Sequence, residues 1–97
     1  MFIVSLTYRK PLADVDRFIA KHREYLARHY ESGVFLLSGR KEPRTGGVIL
    51  ADCLTRADLE RIVGEDPFWK HEIAHFEITE FVPSMAAPQF SALLGTS

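Results

Sequence analysis

His22 and Asp66 are the two side chains of this sequence whose types, if brought together, make a proton-transfer pair. A carboxylate that accepts from one imidazole nitrogen orients the ring and leaves the other nitrogen to move a proton near neutral pH. Arg9 and Arg40 can hold an anionic group, since a guanidinium forks onto a carboxylate through two donors. Ser38 and Gly39 can contact a substrate, although no base neighbours Ser38 in sequence, and Phe68 can wall an apolar pocket. Each residue also has an ordinary reading. A histidine on a helix stripe is commonly a satisfied core residue, Asp before Pro is a common helix stop, and Arg40 is equally well a solvated surface residue.

Two further strings invite chemistry and fail on context. His71-Glu72-Ile73-Ala74-His75 matches the H-E-x-x-H pattern of zinc proteases, which works only where a helix brings both histidines to one face. Here Pro67 lies just upstream and an alternating segment begins by Ala74. In a strand the two histidines would stand roughly 13 Å apart, too far for one zinc. Gly46-Gly47 lacks the lysine and the following helix of a phosphate loop and predicts a tight hairpin start instead. No metal or cofactor is expected.

The elements that must position these residues follow from periodicity. Phe2 to Tyr8 alternates, with Phe2, Val4, Leu6 and Tyr8 on one side, which predicts a strand. A helix capped by Asp14 is predicted to run to about Ser32, with Val15, Phe18, Ile19, His22, Tyr25, Leu26, His29 and Tyr30 on its inner stripe and Gly33 as its stop. Val34 to Gly39 is an apolar run of strand length. A polar connection, Lys41 to Gly47, leads to a third strand, Val48 to Cys53, in which Cys53 is read as a small core residue. Thr55-Arg56-Ala57-Asp58 resembles a capping box and opens a short helix that ends at Gly64 and Asp66-Pro67. Phe68 to His71 adds at most a turn, and Ala74 to Val82 alternates again before Pro83.

Strand, helix, strand, strand, helix, strand is the α+β ferredoxin-like βαββαβ order. It predicts a four-stranded antiparallel sheet with both helices on one face. The domain is placed at residues 1–83, and the tail, 84–97, is expected either to be loosely ordered or to pack on a partner subunit. The helix-free sheet face needs cover, which a second copy supplies. In this topology strands 1 and 2 finish at the end where strands 3 and 4 begin. Tyr8, Arg9, Gly39, Arg40, Gly46, Gly47, Asp66 and His71 therefore gather there, and His22 lies toward the same end.

Size and composition set bounds. A chain of 97 residues is one domain, short enough that a homodimer would add needed buried area. A formal net charge of −1 with both signs interspersed offers no basic block for nucleic acid. No apolar run is long enough to span a bilayer, and the N-terminus lacks the features of a signal peptide. One cysteine precludes an internal disulfide and suits a cytoplasmic location.

Four pieces in order, His22-Arg23-Glu24-Tyr25-Leu26, Gly33 to Gly39, Thr45-Gly46-Gly47 and Asp66-Pro67-Phe68, give the chain a resemblance to the YciI-like (YCII-related) family from Met1 to about Val82. The resemblance implies a dimeric α+β barrel and a His–Asp site carried by His22 and Asp66. It also implies small cytoplasmic enzymes acting on small organic acids or phenols by elimination or isomerisation. Arg40 departs from the family pattern, which has proline after the glycine that ends strand 2. Two other readings stand beside this one. One is a non-catalytic dimer that binds a small metabolite, and the other is a heme- or quinol-directed monooxygenase of the related dimeric barrels.

Overall fold

The computed structural model describes residues 1–52 and 55–94. Strand β1 (Phe2–Tyr8) is followed by helix α1 (Leu12–Glu31), strands β2 (Phe35–Arg40) and β3 (Gly46–Ala51), helices α2 (Arg56–Val63) and α3 (Pro67–Lys70) and strand β4 (Ala74–Glu80). A 3₁₀ turn covers Pro88–Leu93. The strands form one antiparallel sheet in the order β2-β3-β1-β4, with β3 and β1 as the central pair. This is the ferredoxin-like α+β architecture the element order predicts.

The alternation of β1 decides which face is dry. Phe2, Val4 and Leu6 are almost fully buried and pack with Val15 and Tyr25 of α1, Leu59 and Val63 of α2, and Phe68 of α3. The residues between them turn to the helix-free face, where Ile3, Leu37 and Val48 are exposed in the single chain. Register carries the pattern across the sheet: Val4 faces Ile49 and Ile78, whereas Ser5 faces Val48 and Glu77. An irregularity between Phe35 and Leu37 switches β2, so that Phe35 is in the core and Leu37 is outside.

Three boundaries differ from expectation for local reasons. Helix α1 starts at Leu12, not after Asp14. The Pro11 carbonyl accepts from Asp14 and Val15, so proline provides the N-cap backbone, and Asp14 sits in the first turn where its charge suits the helix dipole. Strand β3 begins at Gly46 because that residue pairs with Thr7. Asp66 does more than end α2. Its side chain accepts from the Phe68 N–H at 2.9 Å and caps α3, with Pro67 at the first helical position, where a missing N–H costs nothing. Thr55 caps α2 as its sequence predicts, accepting from Asp58 at 3.0 Å. Gly33, at φ 84°, follows α1 in the left-handed conformation that closes helices. The expected core position of Cys53 lies outside the described residues. No described helix is long and apolar enough to cross a membrane.

Candidate functional site

The core stripe of α1 carries three polar side chains among its apolar ones, and all three reach the end of α2 or the segment joining it to α3. His22 Nδ1 lies 2.9 Å from Asp66 Oδ1, the Tyr25 hydroxyl donates to the Ile62 carbonyl at 2.9 Å, and His29 Nε2 lies 3.1 Å from Glu65 Oε1. Spacings of three and four residues put them in line on one helical face. Burial pushes the Tyr25 phenol well above its ordinary pKa, and the charges of Asp66 and Glu65 push it further. Tyr25 is therefore a neutral donor.

Asp66 is fully buried and His22 is 9% exposed. Asp66 Oδ1 accepts from the Phe68 N–H, which marks it as the acceptor and Nδ1 of His22 as the donor. In the neutral ring the lone pair then belongs to Nε2. That nitrogen makes no hydrogen bond among the described residues. The Phe68 ring lies against the imidazole, with centroids 4.1 Å apart and planes 4° from parallel, and Tyr8 meets Phe68 edge-on at 6.0 Å. Asp66 Oδ2 is buried with no hydrogen-bond partner among the described residues. The two bonds to Oδ1 are thus what offsets the cost of placing this carboxyl group in the core.

The imidazole borders a hollow of about 280 Å³ between α1 and the end of the sheet formed by β2 and β3. Ile19, His22, Arg23 and Leu26 line it from α1, Ser38, Gly39 and Arg40 from β2, Gly46 and Gly47 from β3, and Tyr8 and Phe68 from the deeper side. Register explains the β2 contribution. Ser38 pairs with Ile49 and Arg40 with Gly47, and Ile49 and Gly47 stand opposite Val4 and Leu6 on the helix-facing side. Gly47 contributes backbone where a side chain would fill the floor. The Ser38 hydroxyl is engaged by Tyr30, and Arg40 Nε donates to Glu42 at 2.9 Å.

His22, Asp66, Ser38, Gly39, Arg40 and Phe68 thus converge as their sequence positions predict. Arg9 does not. It stands at the same end of the sheet but borders a second hollow beside Trp69, Glu72 and His75, at the β4 edge. Its backbone N–H is bonded to the Ile73 carbonyl. Chain order fixes how high along the sheet a residue sits, not on which side of it. Tyr8, which the topology puts at this end, also lines the hollow, as do Arg23, Ile19 and Leu26, which the sequence does not single out as site residues. The signal for Arg23 was available, since it follows His22 directly and falls between Ile19 and Leu26 on the helix surface.

His71 and His75 do not share a helix. His71 caps the end of α3 and stacks on Phe18 at 4.3 Å, while His75 lies on β4 beside Glu77. Among the described residues no group of three or more His, Cys, Asp or Glu side chains is arranged to hold a metal ion.

The model of the YCII-related domain matches residues 1–82. Among solved structures, the chain is similar to 5-chloro-2-hydroxyhydroquinone dehydrochlorinase (TftG) from Burkholderia phenoliruptrix AC1100 in complex with 2,5-dihydroxybenzoquinone. The TM-score is 0.71 with 16% identity, over 86% of this chain and 95% of that one. At that identity the likeness concerns the fold. The comparison with curated proteins finds no match.

Proposed function

The chain belongs to the YCII-related family, and from that premise we propose that it is a small, cofactor-free enzyme in which His22 and Asp66 perform acid–base chemistry on a small organic acid or phenol. The observation that carries this is the buried 2.9 Å contact from Asp66 Oδ1 to His22 Nδ1, at the edge of a hollow, with Nε2 unpaired among the described residues. In this reading Nε2 takes a proton from an acidic C–H or O–H of the substrate. The electron pair left behind either forms a new double bond and expels an anionic leaving group on the neighbouring carbon, the imidazolium then passing its proton to water, or takes the proton back from Nε2 at a different carbon. These are elimination and isomerisation. The imidazolium formed in either case is held beside the Asp66 carboxylate, which stabilises its charge. The solved dehydrochlorinase of the same fold agrees with the elimination branch. We place the enzyme in the cytoplasm as a homodimer. The single cysteine suits the first assignment, and the exposed Ile3, Leu37 and Val48 on the bare sheet face suit the second.

The test is turnover of a panel of small phenols and cyclic organic acids, halogenated members included, followed by product analysis. Once a substrate is found, His22→Ala and Asp66→Asn should each lower kcat by about a hundredfold or more, the usual worth of a positioned acid–base group. Unchanged turnover in both variants would sink the proposal. Saturable binding without product, indifferent to His22, would favour a metabolite-binding module instead.

A further inference from the structure

The charges around the hollow are of one sign. Arg23 and Arg40 line it from opposite sides, α1 and β2, while His22, Tyr8 and Ser38 supply the neutral polar groups. No Asp or Glu is among its described lining residues. The two guanidiniums are not equivalent. Arg40 shares its Nε with Glu42, whereas Arg23 makes no ion pair or hydrogen bond among the described residues. Elsewhere on the described surface Arg17, Arg44, Arg56 and Arg61 each lie within 4.0 Å of a carboxylate, Arg28 lies over the Tyr25 ring, and Arg9, also without an ion pair among the described residues, borders the other hollow. Arg23 is four positions from Ile19 and three from Leu26, both of which line the hollow, so it shares their side of α1. A free, forked cation beside an apolar wall and a proton acceptor is the arrangement that recognises a carboxylate on a small hydrophobic body.

We propose that the hollow is an anion-binding site in which Arg23 holds the carboxylate of a single-ring or similarly small substrate. Arg40 adds a second, weaker positive contact. This rests on the hollow being the substrate site, and it narrows that reading from phenols and acids together to compounds bearing a permanent negative charge. At about 280 Å³ the hollow has room for one ring with an acidic substituent. Ile19 and Leu26 supply the apolar contacts, and the Gly47 backbone leaves the floor open.

The test is a binding measurement independent of turnover, using benzoate and its uncharged isostere benzamide on the full-length protein by ligand-observed NMR and calorimetry. Benzoate should bind saturably and at least roughly tenfold more tightly than benzamide, the usual worth of a hydrogen bond to a charged group. Arg23→Gln should remove that preference, Arg23→Lys should keep part of it, and Arg40→Gln should reduce it less than Arg23→Gln does. Benzamide binding as tightly as benzoate, unchanged benzoate affinity in a folded Arg23→Gln protein, or no saturable benzoate binding in the millimolar range would each overturn the proposal. If Arg23→Gln does not fold, the wild-type preference alone decides. Failure of the acid–base reading looks different. In that case His22→Ala leaves turnover unchanged while the Arg23-dependent preference for benzoate persists.

Discussion

Replacing Gly46 by alanine should be among the most damaging single changes available to this protein. A Cβ built on Gly46 would lie 1.7 Å from the Leu6 carbonyl oxygen, 2.7 Å from its carbonyl carbon and 3.1 Å from the Thr7 Cα. Real Cβ contacts essentially never fall below 3.0 Å, so the oxygen alone demands a displacement of 3.0 − 1.7 = 1.3 Å. The obstructing atoms are backbone, and they belong to β1, whose next residue, Thr7, pairs with Gly46. Neighbouring strands are held about 4.8 Å apart by their hydrogen bonds, and a shift above 1 Å is incompatible with keeping that end of the ladder. Leu6 is part of the core, so moving it also loosens packing around Phe68 and Ala74. The expected loss is above about 4 kcal/mol, a large share of the 5–15 kcal/mol typical of a whole domain. Urea unfolding followed by circular dichroism, at fixed protein concentration, measures it, with Gly39→Ala as control. A Cβ on Gly39 meets nothing within 4 Å, so that variant should stay within about 1 kcal/mol of wild type. If Gly46→Ala unfolds at the wild-type midpoint, the close approach of β3 to β1 is not as described, and the floor of the hollow must be redrawn with it.

Other consequences can be tested alongside. Asp66→Ala should be less stable than Asp66→Asn by about 1–2 kcal/mol in the same unfolding assay, because the amide oxygen can still cap the Phe68 N–H and receive Nδ1 of His22. Equal midpoints would show that those two bonds contribute nothing. Tyr25 keeps its proton in the folded state beyond the ordinary pKa of 10.0, whereas the unfolded chain releases it there. Its contribution is therefore complete below pH 10 and is lost above it, at about 1.4 kcal/mol per pH unit. Tyr25→Phe should flatten that part of a stability–pH curve, and an unchanged alkaline slope would refute the assignment. Leu37→Glu combined with Val48→Glu puts like charges on the bare sheet face, where both residues are exposed. The pair should convert a homodimer to a monomer in light scattering after gel filtration, and a dimer unaffected by both would place the interface elsewhere.

Much of this architecture was legible because binary patterning determines which side of a strand or helix is dry. Alternation groups Phe2, Val4 and Leu6 on one side of β1, packing on the helices makes that side the core, and the stripe from Val15 to Tyr25 marks the core face of α1. Topology then brought His22 and Asp66 to one end from distant parts of the chain, and their contact at 2.9 Å is the arrangement that argument implied. What was not legible depends on partners. Gly46-Gly47 reads locally as turn, and it becomes strand only because β1 lies close enough to pair with it. Asp66-Pro67 reads equally as the end of one helix and the start of the next. The second role is set by the Phe68 N–H turning back onto the carboxylate. For Arg9 chain order sets height along the sheet and not side, and the structure puts it at the other hollow. A long cation on a helix flank such as Arg23 resembles any solvated arginine until the opposite wall, from β2, is in place.

The parallel stacking of Phe68 on the His22 ring has a stereochemical corollary. With one flat side of the imidazole covered at 4.1 Å and Nδ1 tied to Asp66, the ring cannot spin to follow a molecule bound in the hollow. Nε2 can meet an incoming hydrogen only along a fixed line at the rim of the heterocycle. A prochiral methylene seated there would surrender one of its two enantiotopic hydrogens and keep the other, so stereospecifically deuterated compounds would lose or retain their label according to configuration.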